Sequence, residues 1–121
     1  MKEKVFIAGY KALERLYANK LPIIDAYKIY SLKTKMRDAY QFQIEQEKKI
    51  ISEYGGVYDE NGALSFPNKL EFSKFRDAIL ELNDVELDVS IEPIVLIMEQ
   101  IKDIDISPAD IEALEGFVSF E

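Results

Sequence analysis

There is no cysteine in this 121-residue chain, and no histidine. The first absence excludes disulfide staples, thiol nucleophiles and thiolate metal sites. The second removes the commonest general base and the commonest metal ligand. No apolar run approaches the roughly 18–20 residues that span a bilayer, and VFIA near the start is far shorter than the apolar region of a signal peptide. A glycine-rich phosphate loop and a dinucleotide fingerprint are missing too. Bases are scarce in one half only: from Asp77 to the C-terminus Lys102 stands alone against thirteen acids. These absences lead to the expectation of a cytoplasmic, non-enzymatic protein with no cofactor, no metal site and no membrane segment.

What is present suits one domain. With 48% hydrophobic and 31% charged residues, a chain of this length can build a single core and is too short for two ordinary ones. Its net charge of −8 is unevenly spread. Residues 1–60 carry eleven bases and nine acids, whereas residues 61–121 carry four bases and fourteen acids. All seven tyrosines lie at or before Tyr58. We therefore divide the domain 1–121 into a mainly helical hairpin over 1–83 and an acidic β/helix part over 84–121.

Periodicity supplies the elements. Phe6, Tyr10, Leu13, Leu16 and Tyr17 predict a short amphipathic helix ending near Asn19. Leu21 and Pro22 break it. From Ile23 to Tyr54 there is no Gly or Pro, and Ile29, Leu32, Met36, Tyr40, Ile44, Ile51 and Tyr54 form one stripe of a long helix, which calls for a hairpin or coiled-coil partner. Gly55 and Gly56 end it. Asn61-Gly62 between short apolar flanks predicts a β-hairpin at the tip. Asn68 with Glu71 caps a third helix whose face is Phe72, Phe75, Ile79 and Leu82. The run IVLIMEQI is compatible with strand or buried helix. Ser107-Pro108-Ala109-Asp110 starts a last short helix that should turn Ile111 and Leu114 inward. FVSF then adds an edge strand. The fold class expected is α+β: three helices in a long hairpin, a turn-tip hairpin, and a small antiparallel sheet with a C-terminal capping helix.

The segment DVELDVSIE, Asp84 to Glu92, alternates strictly, so Val85, Leu87, Val89 and Ile91 belong to one strand face and Glu86, Asp88, Ser90 and Glu92 to the other. Carboxylates two apart on a strand are spaced by about 6.6–6.8 Å, close to two steps of the roughly 3.4 Å rise of a DNA strand. Such a row could enter a cationic groove as a DNA mimic. A solvated strand face that resists mispairing explains the same pattern. Asp103, Asp105 and Ser107 resemble the opening of a calcium loop, but Pro108 replaces its glycine and Leu114 its bidentate glutamate. Charge gathered at a helix N-terminus is the plainer account. Asp59-Glu60-Asn61-Gly62 needs no cation either, being ordinary turn chemistry. AYKIYSLKTKMRDAY mixes lysines with tyrosines in the manner of a nucleic-acid surface, yet a balance of +2 over 60 residues is weak for that role, and packing of the rings beside solvated cations suffices. No direct nucleic-acid binding is expected.

Three stretches, KLP with AYKI, the YGGVYDENG tip and ISPADIEAL, together with the order of elements from Lys20 onward, resemble a family of small uncharacterised proteins of tailed bacteriophages and prophages. The resemblance implies a bacterial host cell as the setting and carries no catalytic residues. In that setting the acidic half predicts an inhibitor or adaptor that engages a basic host or phage protein, such as a CRISPR-type or other defence nuclease. The contact residues expected are Asp84, Glu86, Asp88, Glu92, Asp103, Asp105, Asp110 and Glu112. The alternative is a prefoldin-like assembly chaperone of a phage component, working through the long helix; self-association would suit it.

Overall fold

A computed structural model describes all 121 residues and places them in an α+β fold. Helix α1 (Glu3–Tyr17) turns Phe6, Tyr10, Leu13 and Leu16 of the expected face inward, while Tyr17, at its last position, is exposed. It ends where the Asn19 side-chain amide donates to the Arg15 and Leu16 carbonyls at 3.0 and 3.3 Å. Pro22 then serves as N-cap of α2 (Ile23–Glu53), a helix of 31 residues that at about 1.5 Å per residue is some three times a typical helix. Its partners are α1 and α3 (Lys69–Asn83), both half its length. Tyr10 stacks on Tyr40, with ring centroids 4.0 Å apart.

Gly55, at φ 73°, ends α2 in the left-handed conformation expected after a helix. The tip hairpin forms as expected, with β1 (Val57–Tyr58) antiparallel to β2 (Leu64–Ser65). Asp59 accepts from the backbone N–H groups of Asn61 and Ala63 at its turn. Asn68 caps α3 by accepting from Glu71 N–H at 2.9 Å. Phe66, Phe72 and Phe75 cluster there, yet no residue from 44 to 81 is fully buried. The core lies elsewhere, in α1, the first half of α2 and the segment from Leu96 to Val118.

The acidic half departs from expectation in three ways. Residues 86–92 alternate as anticipated, with Leu87, Val89 and Ile91 packed on the core and Asp88 and Glu92 outside, but Val85, expected on the inner face, is exposed, and the segment is not a sheet strand. Asp84 and Val85 N–H still donate to carbonyls at the end of α3, and beyond them the backbone is tied to the N-terminal arm, by Glu3 N–H to the Val85 carbonyl at 2.9 Å and Leu87 N–H to the Met1 carbonyl at 2.8 Å. Solvent satisfies an exposed extended chain without a ladder. The expected antiparallel sheet at this end is instead a parallel pair, β3 (Ile94–Leu96) with β4 (Val118–Phe120). The connection between them passes through a 3₁₀ turn (Met98–Gln100) and α4 (Pro108–Ala113), a crossover of the length that parallel pairing requires. Finally, Leu114 is buried but Ile111 is not. On a six-residue helix only one face can meet α1, and that face holds Asp110 and Leu114, four residues apart.

Phe117 joins the two halves. Its ring lies against Gly9 of α1, where any Cβ would overlap it. No helix is long and apolar enough to cross a membrane.

Candidate partner-binding surface

The eight acidic residues expected to contact a partner do not form one surface. Asp84 holds Lys2 Nζ at 2.6 Å, and Glu86 holds the Met1 ammonium at 2.6 Å. The hydrogen bond from Lys2 keeps the Asp84 carboxyl below the usual carboxylate range, and the same contact raises Lys2. The row of four outward positions is thus neutralised at its start, leaving Asp88 and Glu92 unpaired. A continuous DNA-like ladder of charge is not what this segment presents.

Asp110 is a structural residue. Its Oδ1 accepts from Arg15 Nε at 2.8 Å and a terminal guanidinium nitrogen at 2.7 Å, while its own N–H donates to the Ser107 hydroxyl at 3.1 Å. With only 7% of its surface exposed it is closed to a partner. The guanidinium hydrogen bond depresses its pKa. Asp103, Asp105 and Glu112 are exposed and have no ion-pair partner in the chain. The loop that carries the two aspartates is fastened from behind: Asp105 N–H donates to Asn19 Oδ1 at 2.7 Å.

Around these carboxylates lies a feature that composition did not signal. Met98, Ile101, Ile104, Ile106, Ile111 and Phe120, with Lys102, line an open groove of about 400 Å³. Ile101 forms its buried floor, and Met98 and Ile111 stand half exposed at its margin. Glu99, Asp103, Asp105, Glu112 and Glu121 are the sequence neighbours of these apolar residues, all exposed and all without an ion pair. Ile111, expected to turn inward, stands at the margin of this groove instead.

The basic, tyrosine-rich start of α2 is engaged within the molecule in part, through Lys28, Lys33 and Tyr40. Lys28 Nζ donates to the Val95 carbonyl at 3.1 Å, and Lys33 lies 5.0 Å from the Tyr17 ring centroid, a cation–π contact. Among carboxyls, Glu3 is the one raised, first by burial and then by Glu47. It is sealed from solvent, so no substrate can reach it. No group of three or more acids converges in a way that could hold a metal ion. Comparison with protein-family models, curated proteins and solved structures finds no match.

Proposed function

We propose that this chain is a non-enzymatic binding protein that captures a basic protein through its acidic C-terminal face. The observation that carries the reading is the set of unpaired carboxylates, Asp88, Glu92, Glu99, Asp103, Asp105 and Glu112, all exposed and accompanied after Asp77 by one base. Charge of one sign that finds no partner inside the molecule destabilises the free fold through self-repulsion and accelerates encounter with an opposite surface by about 10- to 1,000-fold at low salt. The adjoining apolar groove supports a protein partner over a free cation, because protein contacts combine a desolvated apolar centre with a polar rim. The resemblance to tailed-phage proteins makes a nucleic-acid-handling host protein, such as a defence nuclease, the proposed target, with inhibition or redirection as the outcome.

The test is capture from bacterial lysate with wild type beside a variant carrying Asp88→Lys, Glu92→Lys and Asp105→Lys. The expected result is a basic partner held by wild type, released by salt, and lost with the variant. Equal retention by both proteins, with equal salt sensitivity, overturns the proposal. A second reading, an assembly chaperone, draws support from the exposed Ile23, Ile24, Tyr27 and Tyr30 on α2. It requires suppressed aggregation of a phage component that disappears when these residues are made polar.

A further inference from the structure

Helix α2 begins with a largely exposed apolar stripe. Ile23, Ile24, Tyr27 and Tyr30 are 83, 70, 67 and 49% exposed. Positions 23, 27 and 30 follow i, i+4, i+7 spacing and so share one face. That face is turned away from the one carrying buried Ile29, Leu32 and Met36. The outer side of a surface helix is ordinarily polar. Lys20 and Lys35 flank the stripe, and neither is within ion-pair distance of a carboxylate.

The groove near the C-terminus has the complementary chemistry. It offers an apolar trough lined by Ile101, Ile104, Ile106 and Phe120, with Lys102 its one charged lining residue, and the exposed Asp103, Asp105 and Glu112 are chain neighbours of that lining. An apolar helix face with lysines beside it, seated in a trough with carboxylates beside it, is the helix-in-groove mode of recognition. The two features are also neighbours. Lys20, Leu21 and Pro22, just before α2, face Gln100 through Asp103 across one cleft, and Ile101 and Lys102 line both that cleft and the groove. The stripe points outward, so it cannot fold into the groove of its own chain.

A surface that carries a projection beside its own matching recess can close on a second copy of itself by a two-fold rotation. We infer that the chain forms a two-fold dimer in which the start of α2 in each copy docks into the apolar groove of the other. Two such contacts form at once, and each removes exposed isoleucine and tyrosine from water while bringing Lys20 and Lys35 toward carboxylates that lack partners. The dimer stands independently of the proposed target, since both halves of its interface belong to this chain.

Sedimentation equilibrium over a concentration series tests it, with two surface variants. The helix variant carries Ile24→Asp and Tyr27→Asp; the groove variant carries Met98→Asp and Ile111→Asp, all at exposed positions. Wild type is expected to approach twice the 14.0 kDa of one chain, with dissociation promoted by salt. Either variant alone is expected to dimerise more weakly by a factor on the order of ten or more, since each tenfold change corresponds to about 1.4 kcal/mol. Mixed together, they are expected to form a heterodimer, because the intact helix of one meets the intact groove of the other; misfolded variants could not do so. A wild type that stays at the mass of one chain throughout overturns the inference. So does a dimer indifferent to both variants. Binding of a basic amphipathic peptide or an apolar dye in the groove of a strictly monomeric wild type assigns the groove to another occupant and likewise overturns it.

Discussion

Both carboxyl oxygens of Glu3 are buried without a hydrogen-bond partner, and so is Oε1 of Gln43, whose amide nitrogen is committed to Glu47 at 2.7 Å. Burial raises the pKa of Glu3 above its ordinary 4.5. The folded state therefore holds this proton more tightly than the unfolded chain does, and the stability associated with the group falls as pH rises past about 4.5. Glu3→Gln is expected to raise the melting temperature at pH 7, because the amide removes a buried charge while filling the same space. The gain should close as the pH is lowered toward 4. Asp110 has the opposite sign. Its pKa is depressed, so its contribution is present above the usual 3.8 and is lost as pH falls through the lower folded value. Asp110→Ala should cost about 1–2 kcal/mol in denaturant titrations at neutral pH, a modest figure for a charged hydrogen bond because Arg15 is half exposed. The Ser107 cap and the acid at the third helical position were legible in ISPADIEAL. Arg15 was not, because a partner 95 residues away leaves no local signal.

Elements show the same division between local and distant information. The length of α2 could be read from the lack of Gly and Pro between Ile23 and Tyr54, and the hairpin from Asn61-Gly62, since both rest on backbone chemistry within a few residues. The two faces of residues 84–92 were readable as well. Whether those residues joined a sheet depended on a neighbouring strand that alternation cannot supply, and the parallel register of β3 and β4 follows from where the crossover returns. Close packing between α1 and Phe117 was equally hidden, although Gly9 marks it. Gly9→Ala drives a methyl group into the Phe117 ring and is expected to destabilise by about 1–3 kcal/mol, the usual cost of overpacking, measured as a shift in denaturation midpoint. At the opposite end, α2 beyond Gln43, the hairpin and most of α3 lack any fully buried residue. Hydrogen exchange should find amides of residues 45–80 opening well below the global unfolding free energy, with those of α1 and residues 25–40 of α2 the slowest. Uniform protection across α2 would contradict this.

For the whole molecule, the separation of a mildly basic half from a strongly acidic one is a matter of sequence, but its effect depends on which charges are already spent. Arg15, Lys2 and the Met1 ammonium neutralise Asp110, Asp84 and Glu86, so the acidic surface free to act is smaller than composition suggests and is centred on the groove. On the proposed dimer and the proposed target, groove and carboxylates would serve both a second copy and a basic protein. Raising the concentration of this protein should lower the fraction active in target capture, and the helix variant, with its own groove left open, should capture better than wild type at high concentration. Paired pull-downs at two protein concentrations would read this directly; equal active fractions would separate the two surfaces.

The contact between Gly9 and Phe117, reinforced by that between Arg15 and Asp110, sets the order in which the chain can acquire its native state. Helices usually assemble quickly because their contacts are near in sequence. Here the first helix has no complete seat until the last helix arrives, and closing a loop of that span carries an entropic cost before any burial compensates for it. A protein with the secondary structure of a fast folder is thereby given a search more typical of sheets, in which α1 and α2 can meet early but the core closes only once the chain has come full circle.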